Sequence, residues 1–199
     1  MIRPLTSPRA ARRRPFQDGR TAGFTLIETL FVAVIIGVVM AGVVMIMPGA
    51  MLVAKADGGL EQVAAALSTA KELAVSQRRN IRVEFNEPNE IVVSRIEIPG
   101  PAVTPLLTTV LEDGMTFRVY DAVPDTPDVF GKASFADFGT ATSISFTSEG
   151  SFVDEGGDPV NGTVFIGQRE DPLSARALTV FGPTALLRRW RWNGAGWTH

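Results

Sequence analysis

The chain has 199 residues and no cysteine, which allows one modest folded domain and excludes disulfide bonds. Its formal net charge is −2, and its mean hydropathy is +0.16. The only histidine is His199, and no serine has a histidine nearby in sequence to act as its base. These features argue against an enzyme, and no cofactor or metal is expected.

Residues 1–23 differ in charge from the rest of the chain. They hold six of the 19 basic residues and one of the 21 acidic residues, so the remainder would have a net charge of −7. The segment is rich in arginine and proline without periodicity, which predicts a basic leader peptide. An acidic remainder argues against general nucleic-acid binding.

An apolar stretch follows, and Leu30 to Met47 contains no charged side chain. A helix of this length would cross most of a bilayer, since a span needs about 20 residues. The arginines before it predict a cytoplasmic N-terminus and an exported C-terminal part. A secretory signal is cut after its apolar region, whereas the processing signal here, Gly23-Phe24, precedes it. Glu28 at the start of the stretch is a functional candidate, because a carboxylate in lipid is costly unless it is paired.

These residues resemble the class III signal of type IV pilins and type II secretion pseudopilins. The segment that carries the resemblance is Gly23-Phe24-Thr25-Leu26-Ile27-Glu28. The resemblance implies that prepilin peptidase cuts between Gly23 and Phe24, and that Phe24 is then N-methylated. It also implies that Glu28 serves filament assembly by pairing with the N-terminal amine of a neighbouring subunit.

One long helix in two parts is predicted from Phe24 to about Arg79. Residues 24–48 form a transmembrane or filament-core helix, and Pro48 predicts a kink or local break at its end. Residues 49–79 form an amphipathic helix that Gly58-Gly59 would loosen. Its apolar stripe recurs at spacings of three and four and should face a globular domain. The stripe consists of Leu60, Val63, Leu67, Ala70 and Ala74.

Residues 80–199 are predicted to form an exported, periplasmic β-rich domain of about eight short strands. Ile81–Phe85 and Glu90–Ile98 read as a hairpin, and residues 106–110 and 115–120 bracket a turn at Glu112–Gly114. Residues 121–137 read as a loop. The remaining predicted strands are Ser143–Thr147, Ser151–Val153, Thr163–Gln168, Ala177–Phe181 and Leu186–Trp192. The predicted fold is α+β: a long N-terminal helix packed on a small antiparallel sheet domain, as in pilins.

The helix end and the strand after it, residues 67–85, resemble the minor pseudopilins of the GspH/FimT family. Residues 144–150 and 178–184 resemble that family's strand–turn and terminal hairpin. The resemblance implies a structural subunit of a type II secretion pseudopilus or a type IV pilus, anchored in the inner membrane by one helix. Its implied partners are prepilin peptidase, other pilins or pseudopilins, the assembly platform membrane protein and membrane lipid.

A basic–aromatic cluster near the C-terminus supports an alternative function. In a strand, Arg189 and Arg191 would share one face, and Arg188 would share the other with Trp190 and Trp192. Such a cluster suits nucleic acid, so a DNA-binding minor pilin for natural transformation is the alternative. The other interpretation is a hairpin whose tryptophans pack on the sheet and whose arginines are solvated or paired with acids.

The acidic loop at residues 154–158 also has two interpretations. It is either a calcium site, as in some major pseudopilins, or a solvated loop, and its spacing does not match an EF-hand.

Overall fold

The computed structural model describes residues 24–100, 102–168 and 171–199, so the predicted leader lies outside the described residues. The chain divides into two compact units, residues 1–45 and 46–199. The described part of the first unit holds the beginning of helix α1, which runs from Leu26 to Gln77. The second unit holds the rest of α1 and all the described strands.

Helix α1 is continuous over its 52 residues, so a local break at Pro48 is wrong, whereas a kink there stays a prediction. A proline removes its own hydrogen-bond donor, but the bonds of the neighbouring residues carry the helix past it. The helix also continues through Gly58 and Gly59. It ends where Arg78 adopts a left-handed conformation with φ of 51°, and the Arg79 N–H donates to the Ala74 carbonyl at 3.2 Å. This is a Schellman-type cap formed without glycine.

The described strands form two antiparallel sheets. They are β1 (Ile81–Asn86), β2 (Glu90–Ile96), β3 (Val103–Val110), β4 (Met115–Phe117), β5 (Ala136–Asp137), β6 (Ile144–Phe146), β7 (Phe152–Val153), β8 (Gly162–Gln168), β9 (Arg176–Phe181), β10 (Leu186–Trp192) and β11 (Trp197–Thr198), with a short 3-10 helix at Pro172–Ser174. Sheet 1 has the order β3-β2-β1-β6-β7. Sheet 2 has the order β11-β10-β9-β8-β4, and β5 also pairs with β8.

The predicted first hairpin is confirmed, with Val83 of β1 opposite Val93 of β2. The turn at Glu112–Gly114 does not close a hairpin, because β3 pairs with β2 whereas β4 pairs with β8. It carries the chain from sheet 1 to sheet 2, and the residues on either side of it, Leu111 and Met115, are both buried. Strands β5 and β11 were not predicted, since two-residue strands show no alternation of apolar and polar residues.

The predicted α+β fold class is confirmed in the second unit, where one core joins α1 to both sheets. All five residues of the predicted helix stripe are buried in that core. Gly59 brings the helix close to β4, because a Cβ atom there would lie 2.9 Å from Met115 Cγ. The two sheets meet through Phe85 and Phe117, whose ring centroids are 5.6 Å apart.

Candidate assembly segment and the charged contacts of the helix

The first turn of α1 is capped by Thr25. Its Oγ1 accepts a hydrogen bond from the Glu28 N–H at 3.3 Å, and its carbonyl accepts from the N–H of Glu28 and of Thr29 at 3.0 and 3.1 Å. Threonine at the cap with glutamate three residues later is the capping-box pattern. A carboxylate in the first turn is also favoured by the positive end of the helix dipole. The sequence Thr-Leu-Ile-Glu therefore fixes where the helix begins.

The surface beyond this cap is apolar and uncovered. The 18-residue window Leu26–Val43 has a mean hydropathy of 2.5, and none of it is buried within the chain. It is the one helical segment of the described residues that is long and apolar enough to cross a membrane. Apolar surface of this extent marks contact with lipid or with other protein molecules.

Glu28 is exposed at the start of this surface. Across the described residues, no cationic side chain forms an ion pair with it. In the uncut chain the Phe24 nitrogen is part of a peptide bond, so a cationic amine exists there only after cleavage. Phe24 is itself 75% exposed. Gly23, the predicted leader end, lies outside the described residues.

Residues 19–44 match the family described as the prokaryotic N-terminal methylation motif. The chain carries the N-terminal methylation motif of prepilin-type proteins. The matched segment includes Gly23, Phe24 and Glu28, and it covers the whole of the exposed apolar window Leu26–Val43.

Two solved structures are similar to this chain at low identity. The minor pseudopilin EpsH from the type 2 secretion system of Vibrio cholerae is 12% identical with a TM-score of 0.45, and the match covers 69% of this chain and 97% of that one. The type IV minor pilin FimU of Pseudomonas aeruginosa is 18% identical with a TM-score of 0.46, and the match covers 72% and 92%. No curated protein matches the chain.

Far from the methylation motif in sequence, the C-terminal basic cluster lies on β10, as predicted. Arg188 contacts Asp128, the Arg189 Nε lies 2.9 Å from Glu61 Oε1, and Arg191 contacts Asp57. The two tryptophans between and after them are buried. Each arginine thus engages a carboxylate, which is the arrangement expected of a packed hairpin. DNA binding by Arg188, Arg189 and Arg191 stays a prediction from the sequence.

A buried ion pair that the sequence did not reveal ties the helix to sheet 2. Arg176 is fully buried, and its Nε donates to Asp57 Oδ1 at 2.7 Å. Its Nη1 donates to the carbonyls of Leu173 and Ala175, whereas its Nη2 has no hydrogen-bond partner among the described residues. Burial lowers the pKa of Arg176, and the hydrogen bond and charge of Asp57 oppose that shift.

Asp57 therefore serves two arginines from adjacent strands, Arg176 and Arg191. The sequence contained one signal of this pair: Arg176 is the single charged residue of the strand Arg176–Phe181, and it lies at the start of that strand. Its partner lies 119 positions earlier, which no local pattern indicates.

Two carboxylates of the acidic loop, those of Asp154 and Glu155, accept hydrogen bonds from the loop itself and from Thr142 and Ser143. Asp154 Oδ1 accepts from the N–H groups of Gly156 and Asp158 at 2.9 and 3.0 Å. Glu155 accepts from Thr142 and Ser143, and hydrogen bonds, first among them one from its own backbone, lower its pKa. Within the described ranges, no group of three or more histidine, cysteine or acidic side chains is placed to hold a metal ion.

Proposed function

We propose that this chain is a structural minor subunit, of the GspH/FimT pseudopilin type, of a type II secretion pseudopilus or a type IV pilus. It acts by assembly rather than by catalysis. The observation that carries the proposal is a methylation motif that contains an uncovered apolar helix segment, in which Glu28 in the first turn is the one charged residue. A helix of this kind suits both storage in a membrane and packing among other subunits.

The proposed maturation begins at Gly23. Prepilin peptidase cuts between Gly23 and Phe24, and a glycine at that position lets the protease approach the backbone closely. Cleavage converts the Phe24 amide into an amine, which is then N-methylated. Loss of the basic leader leaves the acidic mature chain anchored by its own N-terminal helix.

Glu28 is the proposed assembly residue. An unpaired carboxylate in an apolar environment costs several kcal/mol, and an opposite charge at the same depth offsets that cost. The Phe24 amine of a neighbouring mature subunit supplies that charge. Because Glu28 has no cationic partner among the described residues of its own chain, its carboxylate is available to a neighbour. The pair would set the axial position of one subunit against the next.

The proposed layout follows the function. Residues 1–23 are the leader, residues 24–48 the membrane and filament-core segment, residues 49–79 the amphipathic segment, and residues 80–199 the periplasmic domain. The N-terminus is cytoplasmic and the helix crosses the inner membrane once. Partners are prepilin peptidase, other pilins or pseudopilins, the assembly platform membrane protein and lipid.

The test compares Glu28→Ala with Glu72→Ala, which removes an exposed acid from the distal part of the same helix. Immunoblots measure the processed chain in membranes and its share in the sheared filament fraction, with Gly23→Leu as the unprocessed size reference. We expect both alanine variants to be processed, and only Glu28→Ala to lose most of its filament-bound share. Normal incorporation of Glu28→Ala would contradict the pairing, and a processed Gly23→Leu chain would contradict the cleavage site.

A further inference from the structure

An open groove lies beside residues 67–76 of helix α1. Its volume is about 810 Å³, with α1 on one side and the turn between β9 and β10 on the other. Leu67 and Phe146 line it and are themselves buried in the core. Its rim is apolar and exposed, since Val75 is 49% and Leu186 57% accessible to solvent. An exposed apolar concavity of this kind marks contact with another molecule.

The basic residues of the groove already have partners within the chain. Lys71 Nζ donates to the Thr184 carbonyl at 2.8 Å, and Arg189 pairs with Glu61. Glu72 is an exposed acid on the rim. An anionic ligand would have to displace one of these contacts and approach Glu72, whereas an apolar ligand would not. The groove therefore favours an uncharged, apolar occupant.

The groove runs along the helix. Its α1 wall has two rows of residues spaced four apart: Leu67, Lys71 and Val75, and Ser68, Glu72 and Ser76. Residues at this spacing lie one above the other on a helix. The wall is about 14 Å long at ~1.5 Å per residue, and three side chains spaced four apart on a second helix extend over about 12 Å. A second helix aligned with α1 would thus match the groove in length and direction.

The uncovered apolar window of α1, Leu26–Val43, has the chemistry that the groove favours. One row of the window, spaced four residues apart, consists of large apolar side chains that are 50–62% exposed: Phe31, Ile35, Val39 and Val43. A row of small residues lies about 200° away around the helix: Ala33, Gly37 and Ala41. The large row forms a ridge of the kind that packs into grooves. Because ridge and groove belong to one continuous helix, the ridge that fills the groove has to come from a second molecule.

We propose that the groove receives the apolar N-terminal helix of another pilin-type subunit of the same filament, aligned in parallel with α1. The inference rests on the proposed function, in which every subunit is anchored by this helix in one membrane and in one orientation. Since the groove lies further along α1 than the ridge does, the subunit that supplies the ridge is displaced along the filament, away from the membrane. The contact is separate from the proposed pair of Glu28 and the Phe24 amine.

Photo-cross-linking tests which molecule lies in the groove. Benzoylphenylalanine is introduced at Val75 of the full-length chain, and cells that carry assembled filaments are irradiated before the filaments are sheared. We expect a cross-linked species in the filament fraction, and mass spectrometry should place its second peptide in the apolar N-terminal helix of a pilin-type subunit. The control carries the same group at Val110 of β3, which is similarly exposed and should not yield that peptide.

The outcomes separate this inference from the proposed function. A cross-link from position 75 to a globular domain, to a protein of another class or to lipid would overturn the inference. So would the absence of a cross-link in filaments that contain the chain. If the unmodified chain is missing from the sheared filaments, the proposed function fails, and this inference fails with it.

Lysine substitutions measure what the groove contributes to assembly. Val75→Lys places a charge in the groove, and Val110→Lys places the same charge outside it at similar exposure, 49% against 53%. Neither valine is buried, so both variants should be processed and keep their unfolding temperature. We expect Val75→Lys to lose at least fivefold of its filament-bound share and Val110→Lys to keep it. Equal incorporation of the two would contradict the inference. Glu72→Ala should also keep its share, because the proposed occupant is uncharged.

Discussion

Helix α1 contains two apolar regions that differ in what surrounds them. Beyond Glu28 and Thr29, Leu26–Val43 is apolar on every side, and the described residues bury none of it. Residues 56–74 carry apolar residues on one stripe, and that stripe is buried in the core. A stripe needs one partner surface, which the sheets provide. A helix that is apolar all round needs several protein neighbours or lipid, and the described residues of this chain provide no such neighbours.

The two regions also differ in how they handle charge. The first has one carboxylate, Glu28, with no cationic partner among the described residues. The second has Asp57 and Glu61, each of which engages arginines on sheet 2. Residues 56–74 thus have their apolar stripe and the carboxylates of Asp57 and Glu61 contacted within one chain. Leu26–Val43 has an uncovered apolar surface and a carboxylate that is unpaired among the described residues, which a second molecule would contact.

Truncation of one leucine in each region should separate their roles most clearly. Leu67 is fully buried in the core, so Leu67→Ala should lower the free energy of unfolding by about 2–5 kcal/mol. Leu30 is 60% exposed, and Leu30→Ala should leave domain unfolding unchanged. Denaturant unfolding of the full chain in detergent, followed by tryptophan fluorescence, reports on the domain because all three tryptophans lie at its C-terminal end. Similar losses from both variants would contradict the division.

Removal of Asp57 should have the next largest effect. Asp57→Ala leaves the buried guanidinium of Arg176 without its carboxylate, and loss of one partner of a buried pair costs about 3 kcal/mol. Glu61→Ala removes the partner of Arg189, but both side chains are well exposed, so the expected cost is about 0–1 kcal/mol. The same fluorescence-detected unfolding measures both variants.

A second substitution tests the reason for that difference. Arg176→Met fills the buried volume without a charge and leaves the partly exposed Asp57 paired with Arg191, so it should cost less than Asp57→Ala. If it destabilises the domain as much as Asp57→Ala, then the ion pair itself contributes the stability. If Glu61→Ala lowers the free energy of unfolding as much as Asp57→Ala does, then the burial of Arg176 does not determine the loss of stability.

Periodic features were predictable from the sequence and non-periodic ones were not. The helix stripe and the first hairpin repeat their apolar residues at fixed intervals, so their buried faces could be named in advance. The turn at Glu112–Gly114 looked like a hairpin because turn chemistry is local, whereas the strand that β4 joins is set by packing of distant residues. Asp57 and Arg176 were missed for the same reason.

The methylation motif was predictable because its residues are contiguous in the sequence. The capping role of Thr25 and Glu28 could have been recognised from the same residues, since the pattern is local. The continuity of α1 through Pro48 could not be predicted from the sequence. A proline alone does not show whether the helix continues past it or is interrupted.

The paired glycines of the helix provide the smallest and most local test of the comparison. Both lie in α1, but a Cβ atom on Gly58 would meet no atom within 4 Å, whereas one on Gly59 would lie 2.9 Å from Met115 Cγ. Gly58→Ala should therefore stabilise the domain by about 1 kcal/mol through helix propensity alone. Gly59→Ala gains the same propensity but crowds a fully buried side chain, and overpacking costs about 1–3 kcal/mol. We expect its net effect to be destabilising, and equal stabilisation by both variants would mean that the helix is not held tightly against β4.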